Sequence, residues 1–528
     1  MESAVAVIDI GMTNKKVAVY DERLSILDSV SRTFDPVMVD GIETHDLAGM
    51  EEWFLARIAE FARAYPLRAL TVTTHGATVV CVGPDGLPCA PCVYYTYEPG
   101  EAFQERFYAA AGDPVALQER TGTPRLSALI NPSKGIFFLK ERFRAQLERS
   151  ELVLNYPQYW GFRLTGIAGA EGTYTGCHSY LWDWKSSRIS SVAEVLGIRE
   201  KMPKDIRDSW SVLGRIKPEL GARTGLAPDT IVTMGIHDSN ASLLPHIVKS
   251  AGRDFVLNST GTWCVLMHPQ KEYGFAPGEL GKVVFFNRSA FNKPVKTAIF
   301  LGGMEYEKWS GLAAALSAAA GVGAVAASGT AGGAAGLGGA AGLGGADGAE
   351  PSPADYRAIL RDKSVFILPE LVPGSGQFPG SNARAVEAGR EYALADIESG
   401  ASVPPFLRDR RKTLAALNLS LALQTLVALD RCGLRPGAGI FTEGGFRRNA
   451  DYNAILAAAL PDNALRLTDM AEATSFGAAM TALAALSGTS PEALRGSFDI
   501  DYAEVASMKG LDDLGSYREI WQKLAAPK

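Results

Sequence analysis

The chain has 528 residues, of which 47% are hydrophobic and 21% are charged, and its formal net charge is −6. This is the composition of a soluble protein of roughly two to four domains, and its weakly acidic balance gives no electrostatic reason to bind DNA or RNA. The Leu/Ala-rich run at residues 413–429 is interrupted by Asn418, Ser420 and Gln424, which argues against a membrane span.

Six cysteines in a chain of this length do not form a disulfide framework. Cys89 and Cys92 have C-x-x-C spacing, but a zinc site would need a second pair or nearby histidines. A redox pair would open a helix, whereas this pair precedes a predicted strand at residues 93–98. We therefore expect reduced thiols and a cytoplasmic protein, and no basic segment that would indicate a signal peptide precedes the first strand.

The N-terminus predicts a hairpin with a polar turn. Residues 5–10 and 17–20 are apolar strands, and residues 9–16 between them combine an acid with glycine, threonine, asparagine and lysine. Glycine lets backbone N–H groups approach an anion, and Thr and Asn side chains add donors. Asp9 could hold Mg²⁺ through water, because hard cations prefer carboxylate oxygen. A hairpin with no ligand is the alternative.

The next predicted strand, residues 70–74, ends at His75 and Gly76. A helix at residues 50–65 precedes it and a strand at residues 79–82 follows. His75, Thr96 and Glu98 could hydrogen-bond a polyol. A lone histidine is more often structural, but the end of a strand is where open α/β sheets bind ligands.

A candidate catalytic acid follows the strand that ends at Gly235. His237 and Asp238 come next, and small residues then open a predicted helix. An acid at this point can accept a proton from a bound substrate, so Asp238 is our candidate general base.

A second hairpin of the same kind follows. Residues 254–258 predict a strand, residues 259–263 form a hydroxyl- and glycine-containing turn, and a further strand begins at Cys264. Two such hairpins are more specific than one. An internal duplication would place the two turns across a cleft, where both could contact the same phosphates.

The last third of the chain contains a biased segment and a glycine pair. Residues 311–350 are dominated by alanine and glycine, which predicts a poorly ordered inserted loop, although the alanines before Ala320 also favour a helix. Gly444 and Gly445 lie between a strand and the predicted helix at residues 452–460, a position that suits a nucleotide. The small residues at 471–480 predict a helix that packs closely against a sheet or a ligand.

Taken together, these motifs resemble those of the FGGY carbohydrate kinases, in the sugar kinase/Hsp70/actin-like ATPase superfamily. The motifs are residues 9–16, 159–175, 235–241, 259–263, 443–446 and 472–479. The resemblance implies an α/β fold with two ribonuclease H-like (actin-like ATPase) domains around a central cleft. It places the sugar-binding domain at residues 1–234 and the ATP-binding domain at residues 235–528, with the Gly/Ala-rich insert at about 315–350.

The resemblance also implies roles for individual residues, with ATP and Mg²⁺ as cofactors. Asp238 resembles the base, and Asp9 would support Mg²⁺. The sugar contacts would be His75, Gly76, Glu98, His237 and Asp238. The ATP contacts would be Thr13, Asn14, Lys15, Thr260, Gly261, Thr262, Gly444, Gly445, Phe446 and Ser475. Members of the family are often dimers, so a homodimer is a possible assembly.

The substrate is the least constrained part of the resemblance. Residues 95–98 lack the Trp-x-Asp-x-Arg pattern of xylulokinase-like members and the Arg-Glu pair of glycerol kinases. Residues 235–242 and 259–263 are similar to rhamnulokinase- and fuculokinase-type members, which favours phosphorylation of L-rhamnulose or L-fuculose. Two alternatives stay open: a catalytically silent sugar- or nucleotide-binding relative, and an actin-like ATPase that acts on a protein partner.

Overall fold

The computed structural model describes residues 3–322, 350–470 and 472–526. The chain divides into two compact units, and each is discontinuous in sequence. Unit 1 comprises Met1–Arg253, Pro269–Thr297 and Glu472–Ile500. Unit 2 comprises Asp254–His268, Ala298–Ala471 and Asp501–Lys528. The assignment of sugar binding to residues 1–234 and of ATP binding to residues 235–528 stays a prediction.

The elements up to residue 253 all belong to unit 1. The strands are β1 (Ala4–Ile10), β2 (Asn14–Asp21), β3 (Ile26–Thr33), β4 (Val37–Val39), β5 (Ile42–Thr44), β6 (Leu67–Thr74), β7 (Val79–Val82), β8 (Leu152–Asn155), β9 (Ala170–Glu171), β10 (Trp182–Asp183), β11 (Arg188–Ile189), β12 (Ile206–Arg207), β13 (Val212–Arg215), β14 (Ile231–Thr233) and β15 (Ile236–His237). The helices are α1 (Leu47–Ala64), α2 (Glu101–Ala111), α3 (Pro114–Thr121), α4 (Pro132–Arg142), α5 (Arg144–Arg149), α6 (Tyr156–Thr165), α7 (Gly172–Thr175), α8 (Val192–Leu196), α9 (Pro218–Thr224) and α10 (Asp238–Ser250).

The remaining elements complete both units. The strands are β16 (Phe255–Thr260), β17 (Cys264–Pro269), β18 (Val284–Arg288), β19 (Pro294–Phe300), β20 (Val365–Leu368), β21 (Arg384–Glu387), β22 (Arg390–Ala393), β23 (Gly439–Gly444), β24 (Leu465–Thr468) and β25 (Tyr502–Glu504). The helices are α11 (Gly302–Val322), α12 (Pro353–Asp362), α13 (Leu394–Glu398), α14 (Arg410–Arg431), α15 (Ala450–Ala459), α16 (Ala473–Leu486) and α17 (Leu514–Ala525). Short 3-10 helices lie at Arg199–Lys201, Pro405–Arg408, Gly445–Arg448 and Pro491–Gly496.

Unit 1 is built on a mixed sheet with the order β13-β14-β6-β1-β2-β3, and β15 also pairs with β6. β6 runs parallel to β1, β14 and β15, whereas β1 and β3 are antiparallel to β2. β1 and β6 are almost entirely buried, as expected for central strands covered on both faces. The parallel pairing brings the carboxyl ends of β1, β6 and β15 to one edge.

Helix α16 packs unusually closely within unit 1. A Cβ atom at Gly477 would overlap the backbone carbonyl of Ala241 in α10, so glycine is required for this approach. The hydroxyl groups of Thr481 in α16 and Thr71 in β6 lie 3.3 Å apart. Tight packing against a helix and the sheet therefore accounts for the small residues of this segment.

Unit 2 contains a second mixed sheet, in which neighbouring strands follow the order β17-β16-β23-β24-β25. β16 is antiparallel to β17 and parallel to β23, which repeats the arrangement of β1 with β2 and β6. The predicted fold class, an α/β protein with two related domains, is confirmed at the level of the two units and their sheets.

Helix α14 forms the centre of the unit 2 core, and its residues from Thr413 to Leu429 are all buried. Among the described residues, this is the one helix whose length and apolar character would suffice to cross a membrane. Of its most apolar window, 89% is buried within the protein, which is also what the core helix of a soluble protein shows.

Two local predictions need comment. The strand predicted at residues 93–98 is wrong: only Val93 makes an isolated bridge, to Thr44, and a turn follows it. Tyr97 N–H donates to the Tyr94 carbonyl there, so the backbone turns instead of extending. In the Ala/Gly-rich segment the helical alternative holds as far as Val322, the end of α11, and residues 323–349 lie outside the described residues.

Candidate active site

The candidate site of unit 1 lies where three strands end together. Asp9 of β1 and Ile236 of β15 both align with Thr73 of β6, and one residue further on His237 aligns with Thr74. His75 follows β6, and its backbone N–H donates to the carbonyl of Ile10 over 2.9 Å. We call Asp9, His75, His237 and Asp238 the strand-end site, because the sheet brings all four to one edge.

Asp238 is the first residue of α10, and His237 caps this 13-residue helix. The Asp238 carboxylate accepts hydrogen bonds from the backbone N–H of Ser239, over 2.5 Å, and from the Ser239 hydroxyl, over 3.2 Å. Burial raises the pKa of Asp238, while His75, Ser239 and His178 oppose that rise. The side chain keeps 31% of its surface exposed, so a ligand can reach it.

Asp9 lies in an acidic neighbourhood. The pKa of Asp9 is raised to about 7, mainly by burial and less by the carboxylates of Asp238 and Glu472, while Lys16 opposes the rise. The ammonium group of Lys16 pairs with the carboxylate of Glu472 at the start of α16. Four ionisable groups therefore gather here, three of them acidic, which favours a cation as their ligand.

His75 is a buried, neutral imidazole. Its Nδ1 contacts the carbonyl of Gly76 at 2.9 Å, which makes Nδ1 the donor and leaves Nε2 as an acceptor. No hydrogen-bond partner of Nε2 is found in the part of the chain that the structure describes. Burial lowers the pKa of His75 to about 4. An unpaired buried acceptor of this kind suits a substrate hydroxyl.

His237 and Gly76 face each other across the strand ends. A Cβ atom added at Gly76 would lie 2.8 Å from Nε2 of His237 and 2.9 Å from Nε2 of His178. Burial lowers the pKa of His237 to about 3, so this ring is also neutral. Glycine at position 76 therefore keeps open a small space that is bordered by two imidazole nitrogens.

Several residues near the strand-end site were not singled out from the sequence. The ring of Tyr95 lies 5.3 Å from that of His75, and burial, with a smaller contribution from the charge of Asp238, raises the pKa of Tyr95. His45 stacks on His75 at 5.4 Å, and His178 meets His237 edge-on at 6.1 Å. Tyr95, His45 and His178 come from separate loops. No local sequence pattern marks them, apart from the fact that histidine and tyrosine side chains often occur in binding sites.

Glu98 has a different environment from the other predicted sugar contacts. One carboxylate oxygen accepts the backbone N–H of Gly100 and the other accepts that of Ala128, each over 2.9 Å. These bonds tie two loops together. These two hydrogen bonds give Glu98 a structural role. Its role in sugar binding stays a prediction.

The turn between β1 and β2 presents two exposed residues and one buried residue. Thr13 and Asn14 are exposed, as a phosphate-binding turn requires. Lys15 is 1% exposed, and its ammonium group donates to the carbonyl of Met12 over 2.7 Å. Burial lowers the pKa of Lys15 to about 8. Lys15 therefore stabilises the turn from its buried side through the Met12 carbonyl, and its direct contact with phosphate stays a prediction.

Unit 2 contains the second turn, residues 259–263, which packs on the glycine pair. The hydroxyl of Thr260 donates to the carbonyl of Glu443 and accepts the backbone N–H of Phe446 over 2.9 Å. Gly444 has a φ of 78°, and a Cβ atom there would overlap the backbone of Thr260. Gly261 and Thr262 remain exposed at the tip of the turn.

The other predicted ATP contacts have structural partners. Gly445 opens a 3-10 helix, and the buried ring of Phe446 packs against Tyr452 with the ring centres 5.0 Å apart. Ser475 lies in α16 of unit 1, where its hydroxyl is 2.9 Å from that of Tyr20. The ATP roles of these residues stay predictions.

The residues around Asp9 fit a magnesium ion on chemical grounds. Mg²⁺ binds few protein carboxylates directly and keeps several waters. The pKa of Asp9 is raised mainly by burial and to a smaller extent by the carboxylates of Asp238 and Glu472, and a divalent cation would relieve the repulsion among these groups. Asp9 is thus the group in unit 1 that would hold Mg²⁺.

Comparisons with known proteins identify the family of the chain. The sequence model described as the FGGY family of carbohydrate kinases, N-terminal domain, matches residues 4–245. The model described as carbohydrate kinase FGGY, C-terminal domain, matches residues 340–491. Together they span about three quarters of the chain.

The solved structure of a carbohydrate kinase from Novosphingobium aromaticivorans is 27% identical, with a TM-score of 0.74 over 98% of this chain and 97% of that one. A gluconate kinase from Lactobacillus acidophilus superposes with a TM-score of 0.75 over 99% of this chain and 98% of that one. Its identity is only 14%, so it shows the fold alone.

A curated rhamnulokinase from Enterococcus faecalis is 26% identical over 137 residues, which are 26% of this chain. The match spans about a quarter of that relative, 27% of its length.

Proposed function

Because the chain belongs to the FGGY family of carbohydrate kinases, we propose that it transfers the γ-phosphoryl group of ATP to a hydroxyl group of a ketose or polyol. The observation that carries this proposal is the position of Asp238. It is a partly exposed carboxylate at the end of β15, beside the unpaired acceptor of His75 and the acidic group around Asp9.

In the proposed reaction Asp238 accepts the proton of the sugar hydroxyl. The hydroxyl oxygen forms a bond to the γ-phosphorus, the bond between that phosphorus and the β,γ-bridging oxygen breaks, and ADP leaves with the electron pair. Phosphoryl transfer of this kind depends on positioning and charge neutralisation more than on covalent help from the protein. Asp238 needs only to be ionised and within reach of the hydroxyl.

The surroundings of Asp238 suit a base. Burial makes the carboxylate a better proton acceptor, because it raises the pKa. The two hydrogen bonds from Ser239 stabilise the ionised form. The N-terminus of α10 adds a favourable dipole, since partial positive charge at a helix N-terminus stabilises an anion.

The donor would be ATP with Mg²⁺. Each unit has a hairpin turn with two exposed residues, and each turn includes a threonine hydroxyl: Thr13 and Asn14 in unit 1, Gly261 and Thr262 in unit 2. Such turns bind phosphate oxygens. Mg²⁺ bound at Asp9 would neutralise phosphate charge, and Lys16, which is already paired with Glu472, adds a nearby positive group.

The acceptor that the site favours is a neutral sugar. His75, His237 and His178 have lowered pKa values and are uncharged near neutral pH, and the ionisable groups beside them are mainly acidic. Uncharged imidazoles hydrogen-bond hydroxyls, whereas the acidic groups would repel a sugar carboxylate. L-Rhamnulose and L-fuculose fit these requirements, and the similarity to a rhamnulokinase supports testing them first.

We further propose that the protein works in the cytoplasm. All six cysteines are buried thiols, as a reducing compartment would allow. The net charge of −6 gives no basis for nucleic-acid binding. A homodimer is the assembly we would look for by sedimentation.

The test is a panel of ketoses, aldoses and polyols incubated with ATP and Mg²⁺, with ADP release followed by a coupled assay. We expect one neutral ketose to stimulate ADP release strongly, with gluconate inactive. ATP binding without stimulation by any sugar would indicate a silent relative. Sugar-independent ADP release would indicate an ATPase that acts on another partner.

A further inference from the structure

A cluster of three potential metal ligands borders the strand-end site. Cys177, His178 and His237 each present one ligand atom, and these atoms lie within 4.8 Å of one another. The Sγ of Cys177 is 3.5 Å from Nε2 of His237. Two ligands at zinc distances of about 2.0 Å and about 2.3 Å are separated by about 3.5 Å at a tetrahedral angle, so this pair already has the required spacing.

Asp238 can complete a tetrahedral set. Its Oδ1 lies 3.3 Å from Nε2 of His237, so a metal ion bound to that nitrogen would be near a carboxylate as well. Thiolate and imidazole ligands favour Zn²⁺ over Mg²⁺, and Zn²⁺ accepts carboxylate as a further ligand. Apart from Asp238, which both sets share, these donors are chemically distinct from the carboxylates around Asp9.

Asn240 can adjust His237 for metal binding. The Asn240 amide nitrogen lies 3.4 Å from Nδ1 of His237, while the amide oxygen has no hydrogen-bond partner in the described part of the chain. A flip of this amide would let the oxygen accept a proton from Nδ1. Nε2 would then carry a free lone pair, and Nδ1 would have the outer-shell bond that metal-bound histidines usually make.

The loop that carries Cys177 and His178 is held in place. The buried carboxylate of Glu171 caps α7 by accepting the backbone N–H groups of Thr173 and Tyr174, each over 2.7 Å. The backbone N–H of Cys177 bonds to the carbonyl of Tyr174 over 3.2 Å. His178 has a φ of 31°, an uncommon value for a residue with a side chain. The two ligands therefore start from a defined position.

We propose that Cys177, His178 and His237 form a Zn²⁺-binding site, with Asp238 as a fourth ligand, and that bound zinc blocks the sugar site. Binding would release the Cys177 thiol proton to solvent and form a zinc–thiolate bond. The metal would fill the space above Gly76 and engage the carboxylate that acts as base. The inhibitory consequence rests on the function proposed above, whereas metal binding itself does not.

Cobalt spectroscopy tests the site without relying on enzyme activity. We expect Co²⁺ added to the metal-free protein to give a thiolate-to-cobalt charge-transfer band and tetrahedral d–d bands, both of which Zn²⁺ abolishes. Cys177→Ser should remove the charge-transfer band, whereas Cys89→Ser, in the C-x-x-C pair, should retain it. The absence of thiolate bands in the parent protein, or their persistence in Cys177→Ser, would overturn the proposal.

Zinc affinity, measured by competition with a chromophoric chelator, gives a second readout. His178→Asn removes the imidazole, and asparagine tolerates the positive φ at this position. We expect Cys177→Ser and His178→Asn each to weaken zinc binding by at least about 10-fold, the smallest loss typical even for outer-shell changes. Unchanged affinity in both folded variants would contradict the site.

Inhibition is then measured as the ratio of sugar-dependent rates with and without micromolar Zn²⁺, at saturating Mg²⁺. We expect strong inhibition of the parent and of Cys89→Ser, and a much smaller effect in Cys177→Ser. If cobalt binds as predicted but no sugar is phosphorylated, the proposed function fails and the metal site stands. Zinc bound without inhibition of an active kinase would remove the inhibitory role.

Discussion

The strand-end site of unit 1 and the second turn of unit 2 occupy equivalent places on similar sheets, but they are built differently. The strand-end site consists of titratable side chains with shifted pKa values, such as Asp9, His75 and Asp238. The second turn is formed by backbone, hydroxyls and glycine, with Gly444 packed on Thr260. If the proposed function holds, the ends of the parallel strands would serve proton transfer in unit 1 and contact with phosphate in unit 2.

The largest effect should come from removing the proposed base. We expect Asp238→Asn to lower the sugar-dependent rate by about 10²–10⁴, the usual contribution of a general base, while ATP binding is retained. Asp229→Asn, which breaks an exposed ion pair with Arg68, is the control and should keep the parent rate. A near-parent rate for Asp238→Asn would show that the side chain does not act as the base.

In unit 2 the corresponding sensitive position is a glycine. Gly444→Ala would introduce a Cβ atom that overlaps the Thr260 backbone, in a backbone conformation (φ 78°, ψ −148°) that by itself costs about 1–3 kcal/mol for a residue with a side chain. We expect a loss of unfolding free energy beyond that range and a raised KM for ATP. Gly437 has a similar φ of 83°, and no atom among the described residues lies within 4 Å of a Cβ atom added there. Gly437→Ala should therefore lose only the part of the unfolding free energy that comes from the backbone conformation. Equal losses of unfolding free energy in the two variants would contradict the close approach of Gly444 to Thr260.

The strand-end site depends on a glycine at position 76. Gly76→Ala would place a methyl group against the imidazoles of His237 and His178, and such overpacking typically costs about 1–3 kcal/mol. We expect the KM for the sugar to rise by about 10-fold or more, with the KM for ATP little changed. Gly135→Ala in α4, where no described atom lies within 4 Å, is the control. A matching rise in both KM values would point to general disruption.

The smallest effect concerns a buried carboxylate that belongs to the structure of unit 2. Burial raises the pKa of Glu305 from 4.5 to about 7, although Gln424 donates a hydrogen bond to it over 2.6 Å. Because the folded-state pKa is the higher one, its stabilising contribution is complete below pH 4.5 and is lost as the pH rises through 7. Relative to the parent, we expect the free energy of unfolding of Glu305→Gln to increase by about 1–3 kcal/mol as the pH rises from about 5 to about 8.

Thermal unfolding of the parent and the variant at several pH values measures this difference. Glu307→Gln, the same substitution at a neighbouring exposed position, is the control. A constant difference between Glu305→Gln and the parent across this range would mean that Glu305 does not titrate there.

The strand ends could be predicted from the sequence because they follow from local patterns. Apolar runs that end at Asp9, His75 and Asp238 indicate strands, and parallel strands bring such residues to one edge. The fold class followed from the family resemblance, to which the repeated hairpin contributed. The family resemblance is confirmed by the two matching sequence models.

Contacts between distant segments could not be predicted in this way. The packing of Gly444 on Thr260 joins residues 184 positions apart, and neither sequence position indicates the other. Cys177 and His178 follow α7 in an irregular loop, where no periodic pattern marks a side chain as facing a site. The burial of Lys15 depends on the exact turn, which a string of polar residues does not specify.

The central claim is that phosphate passes from ATP to a sugar and not to water. Phosphorus NMR of the protein with ATP, Mg²⁺ and L-rhamnulose or L-fuculose tests it directly. We expect a phosphomonoester signal to grow at the same rate as ADP, and Asp238→Asn to suppress both. ADP accompanied only by inorganic phosphate, with or without sugar, would contradict the account and indicate an ATPase.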